Sequence, residues 1–376
     1  MSTRNTKFII LAALAAVLTC ISAAPSIAAK KAKVKSNAPQ RSVITAENLE
    51  LCKKGTPEQI KAAFDAGTLT ITEKDDNGYS LLMIAASNPD PKVVPVFVKA
   101  GIPVKYRSKT GITALMAAAK ESSNPEFINA IIKAGAKTTE VDSKGRNALM
   151  YAAAYNPNPQ IVKSLIRIKS RVNLKAHGGK TALMYAAESN PNPAVITALL
   201  AAKARINEMD DEGITPLMFA AIKNPNTDVL ITLLQAGALV GDMNREGRTV
   251  LMLAAEMSQN PSVIQILTQA GAKVTDMTIN GETALMLAAE LNPNPAITSA
   301  LISAGADINR KNRYGQTPLM KAAKSTQNPE IITTLLKAGA DAKAKDMLGR
   351  TAIEMADSNE NLVGTDAYKA LSDASK

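Results

Sequence analysis

The chain has 376 residues and a formal net charge of +11, with 46% hydrophobic residues but only 3% aromatic residues and no Trp. Length alone predicts two or three globular domains, unless an internal repeat adds length without adding separate cores. The shortage of aromatics excludes a core built on large rings and removes the base-stacking groups of a nucleic-acid binder, so packing must rest on Ala, Leu, Ile, Val and Met.

Residues 1–29 read as a secretory signal peptide. Arg4 and Lys7 form a basic start, Phe8 to Ile21 is an apolar run, and the small residues of "SAAPSIAA" offer cleavage after Ala28 or Ala24. The run is shorter than the ~20 apolar residues that span a bilayer, and Pro25 breaks it, which disfavours a membrane anchor. Thr19 is too large for the position before an acylated cysteine, which disfavours lipid attachment at Cys20. Export to the periplasm or beyond is expected, with no transmembrane segment after signal removal. Residues 30–44 then form a basic linker, poor in large apolar groups and expected to be disordered. Cleavage leaves Cys52 as the single thiol, so the exported chain needs no internal disulfide and Cys52 reads as a small core residue.

Residues 45–77 form an N-terminal capping unit, with a capping box at Thr56 and Gln59 around Pro57. From there the chain repeats. Gly78, Gly111, Gly145, Gly179, Gly213, Gly247, Gly281, Gly315 and Gly349 open successive copies, spaced by 33 once and by 34 seven times. Residues 78–348 hold eight repeats, and 349–376 a C-terminal capping repeat and tail in which Glu354 replaces the usual Met. Each copy runs from a polar tip through the Gly into "xTALMxAA", which starts a helix, and then through an Asn-Pro turn into a second helix ending near "AGA". In the copy at 281, Asn294 caps the second helix, Pro295 takes its first position, Ile297, Ala300 and Leu301 share one face, and Gly305 ends it. Lys169 and Lys203 stand where other copies have that terminal Gly, and a left-handed Lys costs about 1 kcal/mol. Two short helices cannot bury their own apolar faces, so each unit must stack on its neighbours.

These residues resemble the ankyrin-repeat family from 45 to about 370, most closely in "GITPLMFAA", "GQTPLMKAA", "AGADIN" and "AGADAK". The resemblance implies an all-α repeat solenoid of stacked helix-turn-helix ankyrin repeats with extended hairpin tips. The chain departs from the family's T-P-L-H by placing Met where His is usual, at Met83, Met116, Met150, Met184, Met218, Met252, Met286 and Met320. The turn between the helices is also usually one residue longer than the family's. That methionine column reads as core rather than as a thioether ladder for Cu(I). Losing the histidines removes a hydrogen-bond network between repeats and is expected to leave packing alone to join them.

Catalytic chemistry is hard to assemble. His177 is the only histidine, no G-x-S-x-G elbow occurs, and Leu174 stands where a phosphate-binding loop needs Gly before "HGGKT". "DDNG" at 75–78 and "DDEG" at 210–213 lack the alternating ligands of a calcium loop and read as turns. No enzyme, cofactor or metal is expected.

By resemblance, a partner protein is held by the tips and the inner face of the first helices. The contact positions are then the tip residues, the residue after each Gly and the two after "AA". Arg107, Lys109, Lys120, Lys144, Arg146, Lys175 and Lys180 make the early repeats basic. The middle exposes Met209, Ile214, Ile222, Met243, Met257, Met277, Ile279 and Leu291, and Lys311 and Arg313 return the face to basic. The expected function is an exported, monomeric scaffold binding another protein at this apolar patch. The alternatives are an electrostatic binder of anionic envelope polymers or lipids, and an enzyme inhibitor.

Overall fold

The computed structural model describes residues 43–376, so the signal-peptide reading and all but the end of the linker lie outside the described residues. The cap supplies α1 (Ala46–Lys54) and α2 (Pro57–Asp65). Repeats follow as α3 (Leu81–Ile84, prolonged by a 3-10 turn over Ala85–Ser87) with α4 (Val93–Lys99), α5 (Ala114–Glu121) with α6 (Pro125–Lys133), and α7 (Ala148–Tyr155) with α8 (Pro159–Arg167). Next come α9 (Ala182–Ser189) with α10 (Pro193–Ala201), α11 (Pro216–Lys223) with α12 (Thr227–Gln235), and α13 (Val250–Met257) with α14 (Pro261–Gln269). The chain closes with α15 (Ala284–Leu291) and α16 (Pro295–Ser303), α17 (Pro318–Ser325) and α18 (Glu330–Lys337), then α19 (Ala352–Ala356) and α20 (Asp366–Ala374). First helices pack on first helices and second on second along the series, and the only β pairing among the described residues is three isolated bridges. The solenoid class is as the sequence implied.

The first helices from α5 to α17 each start at a Thr or Asn whose side chain accepts from the backbone of the methionine three residues on, as Thr283 does from Met286, whereas Ser80 before α3 makes no such bond. The eight methionines are at most 2% exposed, so the column is core. Second helices start as expected: Asn294 accepts from Ala296 N–H at 3.0 Å, with Pro295 following. In the last repeat Glu354 is not idle, since its carboxylate accepts from Thr351 N–H at 2.7 Å and closes a capping box. Lys169 and Lys203 do adopt the left-handed conformation, at φ 62° and 65°.

The tips are tight turns. In the tip before Gly213, Asp210 N–H donates to Ile214 O, and Asp210 Oδ1 accepts from Ile214 N–H at 2.8 Å, which accounts for the acidic residue there. Gly213 has φ 79°, and a Cβ on it would lie 2.8 Å from Arg245 N in the next tip. Glycine is therefore required twice, for the backbone conformation and for the approach of the neighbouring tip.

Packing does not join the repeats alone, contrary to the expectation drawn from the missing histidines. A helix leaves its last carbonyls without internal donors, and here a buried asparagine of the following repeat supplies them. Asn190 Nδ2 donates to Ala153 O and Asn156 O, both at 2.9 Å. Asn88, Asn156, Asn224, Asn292 and Asn359 repeat the bond pair on their preceding units. A second set uses the helix-capping asparagines. Asn124, Asn158, Asn192, Asn226, Asn294 and Asn328 each cap a helix with Oδ1 while Nδ2 donates back to the preceding turn.

Asn190→Ser removes both donors and leaves two carbonyls in a buried setting, so we expect a loss of about 1–3 kcal/mol in chemical unfolding. Cys52 is fully buried, and burial, aided by the Glu73 carboxylate, pushes its thiol up to about 12. In a Cys20→Ser chain, an aromatic disulfide reagent should therefore modify Cys52 only as fast as the fold opens, with little labelling at pH 8 before denaturation.

Candidate functional site

The inner face is built from three positions of each repeat: the residue after the tip Gly, the variable residue of "LMxAA", and the residue after "AA". The second column was not among the expected contact positions, yet it carries Tyr151, Tyr185, Phe219, Leu253, Leu287 and Lys321. Its signal was available in the sequence as the one changing letter inside an otherwise constant motif.

Charges on this face are largely paired with one another. Glu188 accepts from Lys180 at 2.9 Å and from Lys223 at 2.7 Å. Burial works to raise Glu188, but the bonds from Lys223 and Lys180 outweigh it and hold the carboxyl below its usual range. The Lys180 ammonium also sits 4.1 Å from the centre of the Phe219 ring. Lys321, 9% exposed, donates to Glu282 and Glu290, and these bonds keep its ammonium charged against the burial that opposes it. Asp142 accepts from the Tyr151 hydroxyl at 2.9 Å and from the Arg146 guanidinium.

The tip cations also have internal partners. Lys109 Nζ donates to Asp76 O at 2.6 Å, Lys175 Nζ to Met209 O at 2.9 Å, and Arg107 to Val141 O. Lys311, expected to face a partner, spends its ammonium on Lys345 O at 2.9 Å. These side chains reach to the adjoining tip and clamp it. Of the early cations, Lys120 pairs with Glu121, and Arg146 and Lys180 are engaged as above.

The expected apolar positions divide into two groups. Met243, Met257, Met277, Ile279 and Leu291 are exposed, by 45%, 48%, 40%, 71% and 46%. Arg313 is exposed as well. Met209 and Ile222 are only half-buried, and Ile214 corrects the expectation: it is 9% exposed, because its backbone closes the tip turn and its side chain turns into the core. Ile214, Ile222 and Met257 nonetheless line one inner-face groove of about 450 Å³ between the repeats opened by Gly213 and Gly247. Phe219 and Leu253 lie along it, with Glu212, Arg245 and Glu246 on its rim. Met243, Met277, Ile279 and Leu291 lie outside that groove. Leu239, Tyr314, Met347 and Leu348 are further exposed apolar side chains that the sequence reading passed over.

Among the described residues, no three His, Cys, Asp or Glu side chains gather as a metal site, and no helix is long and apolar enough to cross a membrane. His177 is exposed at a tip, where its N–H donates to Lys144 O. Lys180 of "HGGKT" is tied to Glu188, so that segment is a repeat tip rather than a phosphate loop.

A family profile described as "Ankyrin repeats (3 copies)" matches residues 115–210, 189–278 and 258–346. No curated protein matches the chain. Proteins built of such repeats generally mediate protein–protein interaction and are typically scaffolds without catalytic activity. With the matched residues spanning more than half its length, this chain belongs to the ankyrin-repeat family.

Proposed function

We propose that the chain is an exported scaffold that binds a partner protein through its central repeats, with the tips bearing Met243, Met277 and Ile279 as the energetic centre. The observation that carries this reading is the exposure of those three side chains, at 45%, 40% and 71%. They contribute little to the core, and burying each against a partner is worth roughly 1.5–3 kcal/mol. Charged residues surround them, as at a surface where the centre dries and the rim stays wet. An electrostatic binder of anionic polymers is less favoured, because four of the tip cations, Arg107, Lys109, Lys175 and Lys311, are held against carbonyls of neighbouring tips. Export rests on the basic start and apolar run of residues 1–29.

With a partner captured from an envelope extract by the chain lacking residues 1–28, Met243→Ser and Met277→Ser should each weaken binding by about 1 kcal/mol or more and leave thermal unfolding almost unchanged. Arg245→Ser and Arg313→Ser should act on association rate and salt dependence instead. Normal binding by the methionine variants, with failure of the arginine variants, would move the anionic-polymer reading ahead. Mass spectrometry of the protein from the producing cells should find an N-terminus at Ala29 or Pro25, and an intact Met1 would remove the export reading.

A further inference from the structure

The repeats are not tied to one another uniformly. Each pair of neighbours has two ends at which hydrogen bonds can cross: the turn end, where the asparagines act, and the tip end. At the turn end, every successive pair of units from the cap to the last repeat has at least one crossing asparagine bond, with one exception among the described residues. Between the repeats opened by Gly213 and Gly247, Ser258 replaces the buried asparagine and makes only a local bond to Asn260 N–H. Asn260 caps α14 through Oδ1, but its Nδ2 reaches no carbonyl of the preceding turn. It is exposed, whereas its counterparts Asn192, Asn226 and Asn294 are half-buried. This pair is held at the tip end instead, by Arg245 N–H to Glu212 O and Leu239 N–H to Asn207 Oδ1, both at 3.1 Å.

The next pair shows the reverse. Between the repeats opened by Gly247 and Gly281 the turn end is fully bonded through Asn292 and Asn294. At the tip end nothing crosses. Gly241 stands where Asn207 and Asn309 reach over, Met243 stands where Lys175 and Lys311 clamp, and Ile279 N–H lacks the bond that Arg313 N–H makes to Asn280 O. A Cβ on Gly247 would be 3.9 Å from Ile279 N, against 2.8 Å for Gly213 and Arg245 N, so the following tip stands off. All other successive tips are joined by at least one hydrogen bond among the described residues. No salt bridge crosses either interface.

We propose that residues 239–271, the tip before Gly247 and the two helices that follow it, form a rocker within the stack, tied to the repeat before by its tip and to the repeat after by its turn. A body held at diagonally opposite corners can tilt about the line joining them without breaking either set of bonds. Met243 at one end and Met257 at the other ride on it, and the groove that Ile214 and Met257 line opens and closes with its tilt. Motion is concentrated in this repeat because, among the described residues, it alone of the interior repeats lacks a crossing bond towards both neighbours, at the turn end towards one and at the tip end towards the other.

Hydrogen exchange on the full chain without any partner tests this. Backbone amides of α13 and α14 should exchange roughly tenfold faster than those of α9 and α10, since the difference is one or two bonds of about 1 kcal/mol. Two substitutions should lock the rocker. Ser258→Asn places a carboxamide within reach of Ala221 O and Asn224 O, by the offsets that Asn292 uses on Ala255 and Ser258. Gly241→Asn places one opposite Gly271 O and Lys273 N–H; a Cβ there meets open space, and no left-handed φ forbids it. Each should slow exchange in 239–271 by roughly tenfold. Should Ser258→Asn fail to fold, Asn260→Asp and Asn192→Asp form a second pair: both keep the cap oxygen, and only the latter, which loses a crossing bond, should speed local exchange. Equal exchange across all interior repeats, or lock variants that fold but exchange as the parent does, would overturn the rocker.

Discussion

The stack depends on one exchange of hydrogen bonds. A short helix ends with carbonyls that it cannot satisfy, and a two-helix unit has no further structure of its own to cap them. Here the next repeat supplies a carboxamide that bridges two of them, as Asn190 does for Ala153 and Asn156. The amide is buried and its two N–H groups leave it in fixed directions, so it sets how one repeat sits on the last as well as holding it there. Burial of apolar surface has no direction of its own, and this polar bond does. The methionine column fills the space between units, while the asparagines fix their register.

The fold was legible because its signal is repeated. A single "TALM" would be weak, but nine glycines at nearly constant spacing outweigh any local ambiguity, and the caps at Thr283 or Asn294 are short-range rules that need no tertiary knowledge. The asparagines were half legible. Oδ1 acting as a cap follows from the neighbouring proline, but Nδ2 reaching a carbonyl 35 residues back, as in Asn192 to Pro157, depends on how repeats dock. Ile214 was misjudged for a similar reason: the tips close with the same backbone bond throughout, and the residue after the Gly goes into the core where it is Ile, as at Ile112 and Ile214, but stays half-buried where it is charged, as at Arg146 and Lys180. The exposed methionines were legible as a departure from the repeat consensus at positions that packing leaves free.

The charge of the chain takes on a different meaning once the partners are seen. Lysines at tips looked like an invitation to anions, yet a lysine four residues before a tip glycine lies across the adjoining tip with its ammonium on a carbonyl, as Lys175 and Lys311 do. The alkyl stem covers the turn and the head caps it. Where the same position is Met, at Met209, Met243 and Met277, the clamp is absent. One column of the repeat therefore trades cohesion between tips against an apolar surface, and the middle of the stack takes the second course.

The asparagine bonds reach back 34 and 37 residues, so the donor in one copy meets acceptors in the copy before it. Duplication of a whole repeat in the gene would leave every such donor facing its usual acceptors and would lengthen the protein without a mismatched junction. Loss of part of a repeat would strand donors on one side and carbonyls on the other. The gene is thus free to change length in whole units and constrained against any other step, which is how a bond between neighbours in space becomes a rule about inheritance.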